Sequence, residues 1–238
     1  GLTTTEMVDG ILTGQVKAWY VMGENPLMSE PDINHARHAL EQLEFFVAQD
    51  IFFNETNVYA DVILPAAAFA EKDGTYTNSD RRVQRGRKAL DPPGLARADW
   101  DIVTDLARRT LALQSIGNGT DWNYTHPSDV WEELRRVTPE FYGITYERLE
   151  REGGVHWPCP ALDHPGSPYL FSDDFPRGKA KFWSVTYAAT SEQTDEEYPF
   201  TLNTGRVLYH WHGGTLTRAS ALDQIWPESV SYTHLTLP

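Results

Sequence analysis

The sequence predicts an α/β fold built on a parallel sheet. Three apolar runs, at 16–22, 45–48 and 61–65, each close on residues that favour turns, and helix-forming stretches lie between them. That alternation gives βαβ units and so parallel strands. Beyond residue 70 the pattern changes to shorter alternating segments and isolated helices. The α/β unit is therefore followed by small β and helical pieces rather than by more of the same sheet.

Each element has its own signal. Thr5 is placed to cap a first helix, in which Met7, Val8, Ile11 and Leu12 share a face, and Gly14 ends it. The run at 16–22 forms the first strand, closed by Gly23, Glu24, Asn25 and Pro26. Pro31 and Asp32 open a second helix with Ile33, Ala36, Leu40 and Leu43 as its apolar stripe. The second strand ends at Gln49 and Asp50, a short helical or turn segment covers 56–59, and 61–65 is the third strand. Residues 75–78 and 82–85 alternate as a small antiparallel pair around a turn at 78–80. Asp99 is placed to cap a helix carrying Ile102, Val103, Leu106 and Ala107, with Arg108 and Arg109 near its C-terminal end. Another helix spans 128–136. Residues 153–178, rich in proline and glycine, read as an extended crossing; 181–183 reads as a strand. An acidic stretch at 192–197 precedes a strand at 199–203 that opens a new domain.

Composition narrows the function. The 238 residues hold 20 Lys and Arg against 34 Asp and Glu, a net charge of −14, with a single cysteine. An acidic chain of this kind is a poor generic nucleic-acid or anionic-membrane binder. No apolar run approaches the roughly 20 residues of a transmembrane helix. One cysteine excludes an internal disulfide and any all-cysteine metal or cluster site within these residues. The expected setting is a soluble, reducing, cytoplasmic one.

Polar clusters follow each predicted strand, where open α/β sheets bind ligands. Gly23, Glu24 and Asn25 follow the first, and Gln49 and Asp50 the second. Glycine admits a ligand to the backbone, carboxylates accept from ribose hydroxyls or a guanine edge, and Asn offers both donors and acceptors. The same residues also make ordinary turns. No GxGxxG occurs, so a standard nicotinamide site is unsupported. Lys72, Arg81, Arg82, Arg85, Arg87 and Lys88 put six of the twenty cations within seventeen residues. That focus suits either a phosphate-bearing ligand or an internal ion-pair network. The stretch Thr204, Gly205, Arg206, Val207, Leu208, Tyr209, His210, Trp211, His212, Gly213 reads as a loop wrapped closely on a ligand. Were it a continuous strand, His210 and His212 would share a face as two metal ligands, but no third ligand is nearby. Cys159 has no catalytic partner in sequence and reads as a buried thiol; His35 and His38 read as surface groups on a helix.

In order, Met22-Gly23-Glu24-Asn25-Pro26, Gln49-Asp50, Ala60-Asp61-Val62-Ile63-Leu64-Pro65, Glu71-Lys72-Asp73-Gly74, Asn78-Ser79-Asp80-Arg81-Arg82, Asp99-Trp100 and the 204–212 stretch resemble the molybdopterin oxidoreductases. Within that family, 142–146 and 156–160 resemble the catalytic alpha subunits of formate dehydrogenases more than nitrate reductases. The resemblance runs from residue 1 to about residue 228.

The resemblance implies a bis-molybdopterin guanine dinucleotide cofactor carrying molybdenum or tungsten, and oxidation of formate to carbon dioxide. Electrons would leave through a 4Fe–4S cluster to flavin or iron–sulfur partner subunits. It implies that Gly23, Glu24, Asn25, Gln49, Asp50, Lys72 and Asp99 contact one dinucleotide or its pterin and that 204–213 wraps the pterin–metal end. It divides the chain into part of a Rossmann-like αβα dinucleotide-binding domain at 1–70, segments completing neighbouring domains at 71–190, and the start of a cofactor-binding β-barrel at 198–228. The metal ligand, its adjacent His, the substrate Arg and the cluster cysteines are expected upstream of Gly1. The isolated chain is accordingly expected to be an inactive fragment. Residues 229–238 resemble translated sequencing-adapter read-through and are expected to lie outside any native fold. The alternatives are a nitrate reductase-type enzyme and a cofactor-free iron–sulfur subunit of the respiratory complex I type; a free nucleotide-binding module is a third.

Overall fold

A computed structural model describes residues 1–114, 122–172, 175, 177–190, 193–201 and 205–227. Helix α1 spans Thr4–Leu12. It starts two residues earlier than a Thr5 cap would allow, because Glu6 accepts from the Thr3 N–H at 2.7 Å and the Thr3 hydroxyl at 2.8 Å. Gly14 then turns the chain at φ +74° into strand β1, Ala18–Met22. A short helix α2 (Pro26–Ser29) and helix α3 (Ile33–Leu40) lead to β2, Phe45–Asp50. Asp32 caps α3 as expected, accepting from the His35 N–H at 3.0 Å. A 3-10 turn at Asn57–Tyr59 precedes β3, Val62–Pro65.

The three strands form a parallel sheet in the order β1-β2-β3, with Met22 opposite Gln49 and Gln49 opposite Leu64. Side chains alternate across the sheet, so Val21, Phe46 and Ala48 point to one face and Tyr20, Val47 and Gln49 to the other. The first face packs on Leu27, Ala36 and Leu40, while Val8, Ile11 and Ala39 join α1 to α3. Burying a side chain such as Phe46 to 1% exposure contributes about 1.5–3 kcal/mol.

A second sheet follows. Strands β4 (Gly74–Thr77) and β5 (Arg82–Gly86) form the expected hairpin, and β6 (Val155–His156) adds to β5 antiparallel. Helices α4 (Asp99–Gln114), α5 (Pro127–Val137) and α6 (Tyr146–Glu152) accompany it. Its core is Val83, Trp131, Ile144, Tyr146, Leu149, Val155 and Cys159. The Trp131 indole donates to the Ile144 carbonyl at 2.7 Å, satisfying a buried donor. Cys159 is fully buried and burial pushes its thiol pKa up, which removes the thiolate needed for reactivity.

Several sequence expectations change. Asp99 is the first residue of α4 rather than its cap, and its carboxylate is engaged elsewhere. Arg108 and Arg109 lie more than a turn before the end of α4. The stretch 153–178 is not irregular throughout, since β6 starts it. No strand forms at 181–183, where Phe182 and Trp183 stand exposed and the Lys181 ammonium sits 3.7 Å from the Trp183 ring centre. Nor does one form at 199–201, and Leu202, Asn203 and Thr204 lie outside the described residues. An extended segment becomes a strand only where another strand satisfies its backbone, and none adjoins these among the described residues. No closed barrel occurs among them; 228–238 also lie outside.

Candidate functional site

The carboxyl ends of β1 and β2 open onto a cleft of about 360 Å³. Its walls include Gly23, Glu24, Asn25, Gln49, Asp50, Lys72 and Asp99. Four separated stretches thus converge, and every predicted site residue before position 100 is present. The parallel register explains the first two stretches: Met22 pairs with Gln49, so both strands end at one edge. Lys72 comes from the connection into β4, and Asp99 from the first turn of α4.

At the floor, hydrogen bonds fix the polarity of each group. The Tyr20 hydroxyl donates to Gln49 Oε1, and Gln49 Nε2 donates to Asp99 Oδ1 at 2.7 Å. Lys72 Nζ is hydrogen-bonded and ion-paired to Asp99 Oδ2. Gln49 is 1% exposed and only just reaches the cleft wall, so these bonds satisfy most of its polar capacity. Asp50 closes the turn after β2: Oδ1 accepts from the Phe52 N–H at 3.1 Å and Oδ2 from the Asn54 amide at 3.0 Å.

The rim is held as tightly. Asn25 Nδ2 donates to Glu55 Oε2 at 2.8 Å, and the Thr56 hydroxyl donates to Asn25 Oδ1 at 2.6 Å while accepting from the Leu27 N–H. Gly23 adopts φ +65°, a left-handed conformation suited to glycine, and a Cβ there would meet nothing within 4 Å. The backbone at Gly23 therefore faces open space. Glu24 is exposed and makes no ion pair among the described residues. The donor set fits an anionic dinucleotide: a free carboxylate, a fixed amide, one cation and open backbone.

Glu55 gives the rim a pH dependence. Its hydrogen bond from Asn25 holds the carboxyl below its ordinary value of 4.5. A folded pKa below the unfolded one gives stability that is present above the unfolded value and lost as pH falls through the folded one. The stabilisation relative to Glu55→Gln, followed by urea unfolding, should accordingly be full at neutral pH and fade below about pH 4.5. A difference between the two proteins that stays constant down to pH 3 would contradict this.

The basic cluster resolves into structural pairs. Arg85 pairs with Glu150 at 2.6 Å, Arg87 with the same carboxylate, and Lys88 with Asp91 at 2.7 Å. Arg81 donates to the carbonyls of Trp157, Ser167 and Pro168. Of the six cations only Lys72 lines the cleft. The ion-pair alternative therefore describes Arg85, Arg87 and Lys88, while Arg81 is held by backbone carbonyls and Arg82 makes no ion pair among the described residues.

The structure does not bring 205–213 to the cleft; Thr215 and Leu216, just beyond, line it instead. Gly205, Arg206, Val207, Leu208, Tyr209, His210, Trp211, His212 and Gly213 do not line it, and Tyr209 and His210 meet Trp226 at the end of the short helix α7, Leu222–Ile225. His210 Nδ1 lies 3.1 Å from the Thr217 hydroxyl and its Nε2 2.6 Å from the Trp226 carbonyl, and Tyr209 stacks on Trp226. His212 has φ +49°, so the two histidines share no strand face. Thr204 lies outside the described residues. Sequence reasoning missed Tyr20, Glu55 and Thr56; the polar run Asn54-Glu55-Thr56, in the loop after β2, was the available signal.

Residues 1–109 match the family described as molybdopterin oxidoreductase. The F420-dependent formate dehydrogenase subunit alpha of Methanocaldococcus jannaschii is 48% identical over 92% of this chain and 32% of its own length. One of the two alpha subunits of this kind in Methanococcus maripaludis is 47% identical over 87% of this chain and 30% of its own. The assimilatory nitrate reductase catalytic subunit of Bacillus subtilis is 41% identical over 93% and 31% respectively. Acetylene hydratase from Pelobacter acetylenicus shares the fold, with a TM-score of 0.52 over 64% of this chain and 20% of its own at 20% identity. The chain spans about a third of the length of the curated relatives it matches. Residues 1–109 thus carry a molybdopterin oxidoreductase domain, and most of the chain is similar to alpha subunits of formate dehydrogenases.

Proposed function

We propose that this chain is the part of a formate-oxidising enzyme that holds the guanine dinucleotide end of a molybdopterin cofactor. One observation carries the reading: residues from four separated stretches, Gly23 to Asn25, Gln49 and Asp50, Lys72, and Asp99, line one cleft at the carboxyl ends of parallel strands. In this reading Glu24 and Asp99 accept from the guanine edge or ribose hydroxyls, and Gln49 donates to the guanine carbonyl oxygen O6. Lys72 faces the anionic diphosphate, and Gly23 lets it approach the backbone. Residues 1–70 belong to the dinucleotide-binding domain, and 198–228 begin the barrel. The cofactor, with molybdenum or tungsten, supplies the two-electron oxidation of formate to carbon dioxide; this chain orients it and sets its surroundings. A 4Fe–4S cluster and electron-accepting subunits belong to the whole enzyme.

The nitrate reductase similarity keeps a second substrate in the test. The full-length protein carrying this segment should reduce a viologen dye with formate and should not oxidise the reduced dye with nitrate. Nitrate-driven oxidation without formate activity would replace the proposed substrate. Failure of GDP to bind the present chain would remove the cleft assignment.

A further inference from the structure

Tyr20 does not line the cleft, yet it ends the hydrogen-bond chain that does. Met22 pairs with Gln49 across the sheet, so Tyr20 lies one diagonal step away on the same face, within reach of a long side chain. Its hydroxyl meets Gln49 Oε1 and Gln49 Nε2 meets Asp99 Oδ1, whose other oxygen takes Lys72.

An ionised carboxylate only accepts, so Asp99 demands the nitrogen end of the Gln49 amide. The oxygen end is then turned back into the sheet, where an acceptor needs a donor. Tyr20 provides the only side-chain donor to it among the described residues. With Phe at this position the carbonyl oxygen of a 1%-exposed residue loses its side-chain partner, and the amide is held at its Asp99 end alone.

We propose that Tyr20 is the positioning residue that fixes the Gln49 amide, and thereby makes the cleft read a guanine edge rather than an adenine edge. The inference rests on the cofactor-cleft reading above and adds to it the source of base selectivity. A fixed amide presents a donor beside the acceptors of Asp99. Guanine offers the complement, an acceptor at O6 next to donors at N1 and N2. Adenine offers a donor at N6 next to an acceptor at N1 and so meets like with like. An amide held only at Asp99 can tilt, so its remaining N–H no longer points at a fixed place and the distinction weakens. The Tyr20 hydroxyl is suited to this role at neutral pH, since burial and the nearby Asp99 charge both raise its pKa and keep it a donor.

Calorimetry with GDP and ADP on the 238-residue chain and its Tyr20→Phe variant tests selectivity. GDP affinity should fall about tenfold, the scale of one lost net hydrogen bond, with ADP affinity little changed. In a Gln49→Leu background Tyr20→Phe should cost nothing further for either nucleotide. Equal losses for GDP and ADP would mean a structural role only and would overturn the proposal. So would an unchanged GDP-to-ADP ratio. A wild-type chain that binds neither nucleotide would defeat the cleft reading and with it the selectivity. Nuclear magnetic resonance of the Gln49 side-chain amide separates the two failures. Its two protons should exchange slowly with solvent in the wild type and markedly faster in Tyr20→Phe, whatever binds. Equal exchange would overturn the positioning role by itself.

Discussion

Replacing Asp99 with Ala should lower affinity for GDP by on the order of a hundredfold and destabilise the fold by about 2–3 kcal/mol. Two independent losses add. Lys72 and Gln49 both donate to this one carboxylate, and the Lys72 side chain is only 22% exposed. Removing the acceptor leaves a half-buried cation and a buried amide without their partner, which costs more than the pair itself contributes. Asp99→Asn separates charge from geometry. The neutral amide can still accept from Lys72 through its oxygen, but its nitrogen then faces the Gln49 nitrogen, donor to donor. Asp99→Asn should therefore lose nearly as much GDP affinity as Asp99→Ala while keeping more of the stability. Lys72→Met, which removes the cation and leaves Gln49 in place, should weaken GDP binding mainly by shrinking its preference over guanosine. Binding calorimetry and urea unfolding on the three variants check this. An Asp99→Ala chain with wild-type GDP affinity would detach the carboxylate from the site.

The parallel sheet was readable because its signals are local. Each strand is a short apolar run with its own stop, and the helices between them show a stripe within one span of chain. The cleft was half readable for the same reason: Gly23 to Asn25 and Gln49 to Asp50 follow strands directly. Nothing local announces that Gln49 bonds Asp99 fifty residues on, or that Tyr20 completes the chain from the neighbouring strand. Those depend on register. Helix α6 was missed because YERLERE offers only Tyr146 and Leu149 as apolar contacts, although Thr145 accepts from the Arg148 N–H at one end and Gly153 closes the other in a left-handed conformation. At 205–213 the residue types suggested a ligand wrap. The bonds of His210 to Thr217 and Trp226 instead tie this stretch to its own chain. A pattern of ligand-competent residues does not say which of them their neighbours already occupy.

That same difference between local and distant constraint predicts the largest stability effect in the second core. Gly143 has no special conformation announced by the sequence, but a Cβ there would lie 2.0 Å from the Ala161 carbonyl oxygen and 2.7 Å from Cys159 Sγ. The oxygen belongs to backbone and cannot swing away. The two segments are also tied together: the Gly143 N–H donates to the Cys159 carbonyl at 2.7 Å, and Arg148 donates to the Gly143 carbonyl at 3.2 Å and to Cys159 Sγ at 3.2 Å. Gly143→Ala must separate the 141–144 turn from the 159–161 segment, opening a core in which Ile144 and Cys159 are wholly buried. The expected cost is at least about 3 kcal/mol, at the upper end for overpacking because no rotamer relieves the contact. Gly153→Ala is the matched control. Its φ is +72° but a Cβ there meets nothing within 4 Å, so only the left-handed strain of about 1–2 kcal/mol applies. Urea midpoints should therefore rank wild type, Gly153→Ala, Gly143→Ala from most to least stable. The Cys159 thiol, shielded in the wild type, should react with a thiol reagent in native buffer much faster in Gly143→Ala than in Gly153→Ala. The cores of the two sheets share no buried residue, so the variant that remains folded should still bind GDP at the first sheet. Loss of GDP binding in step with thiol exposure would instead show the two sheets unfolding as one cooperative unit.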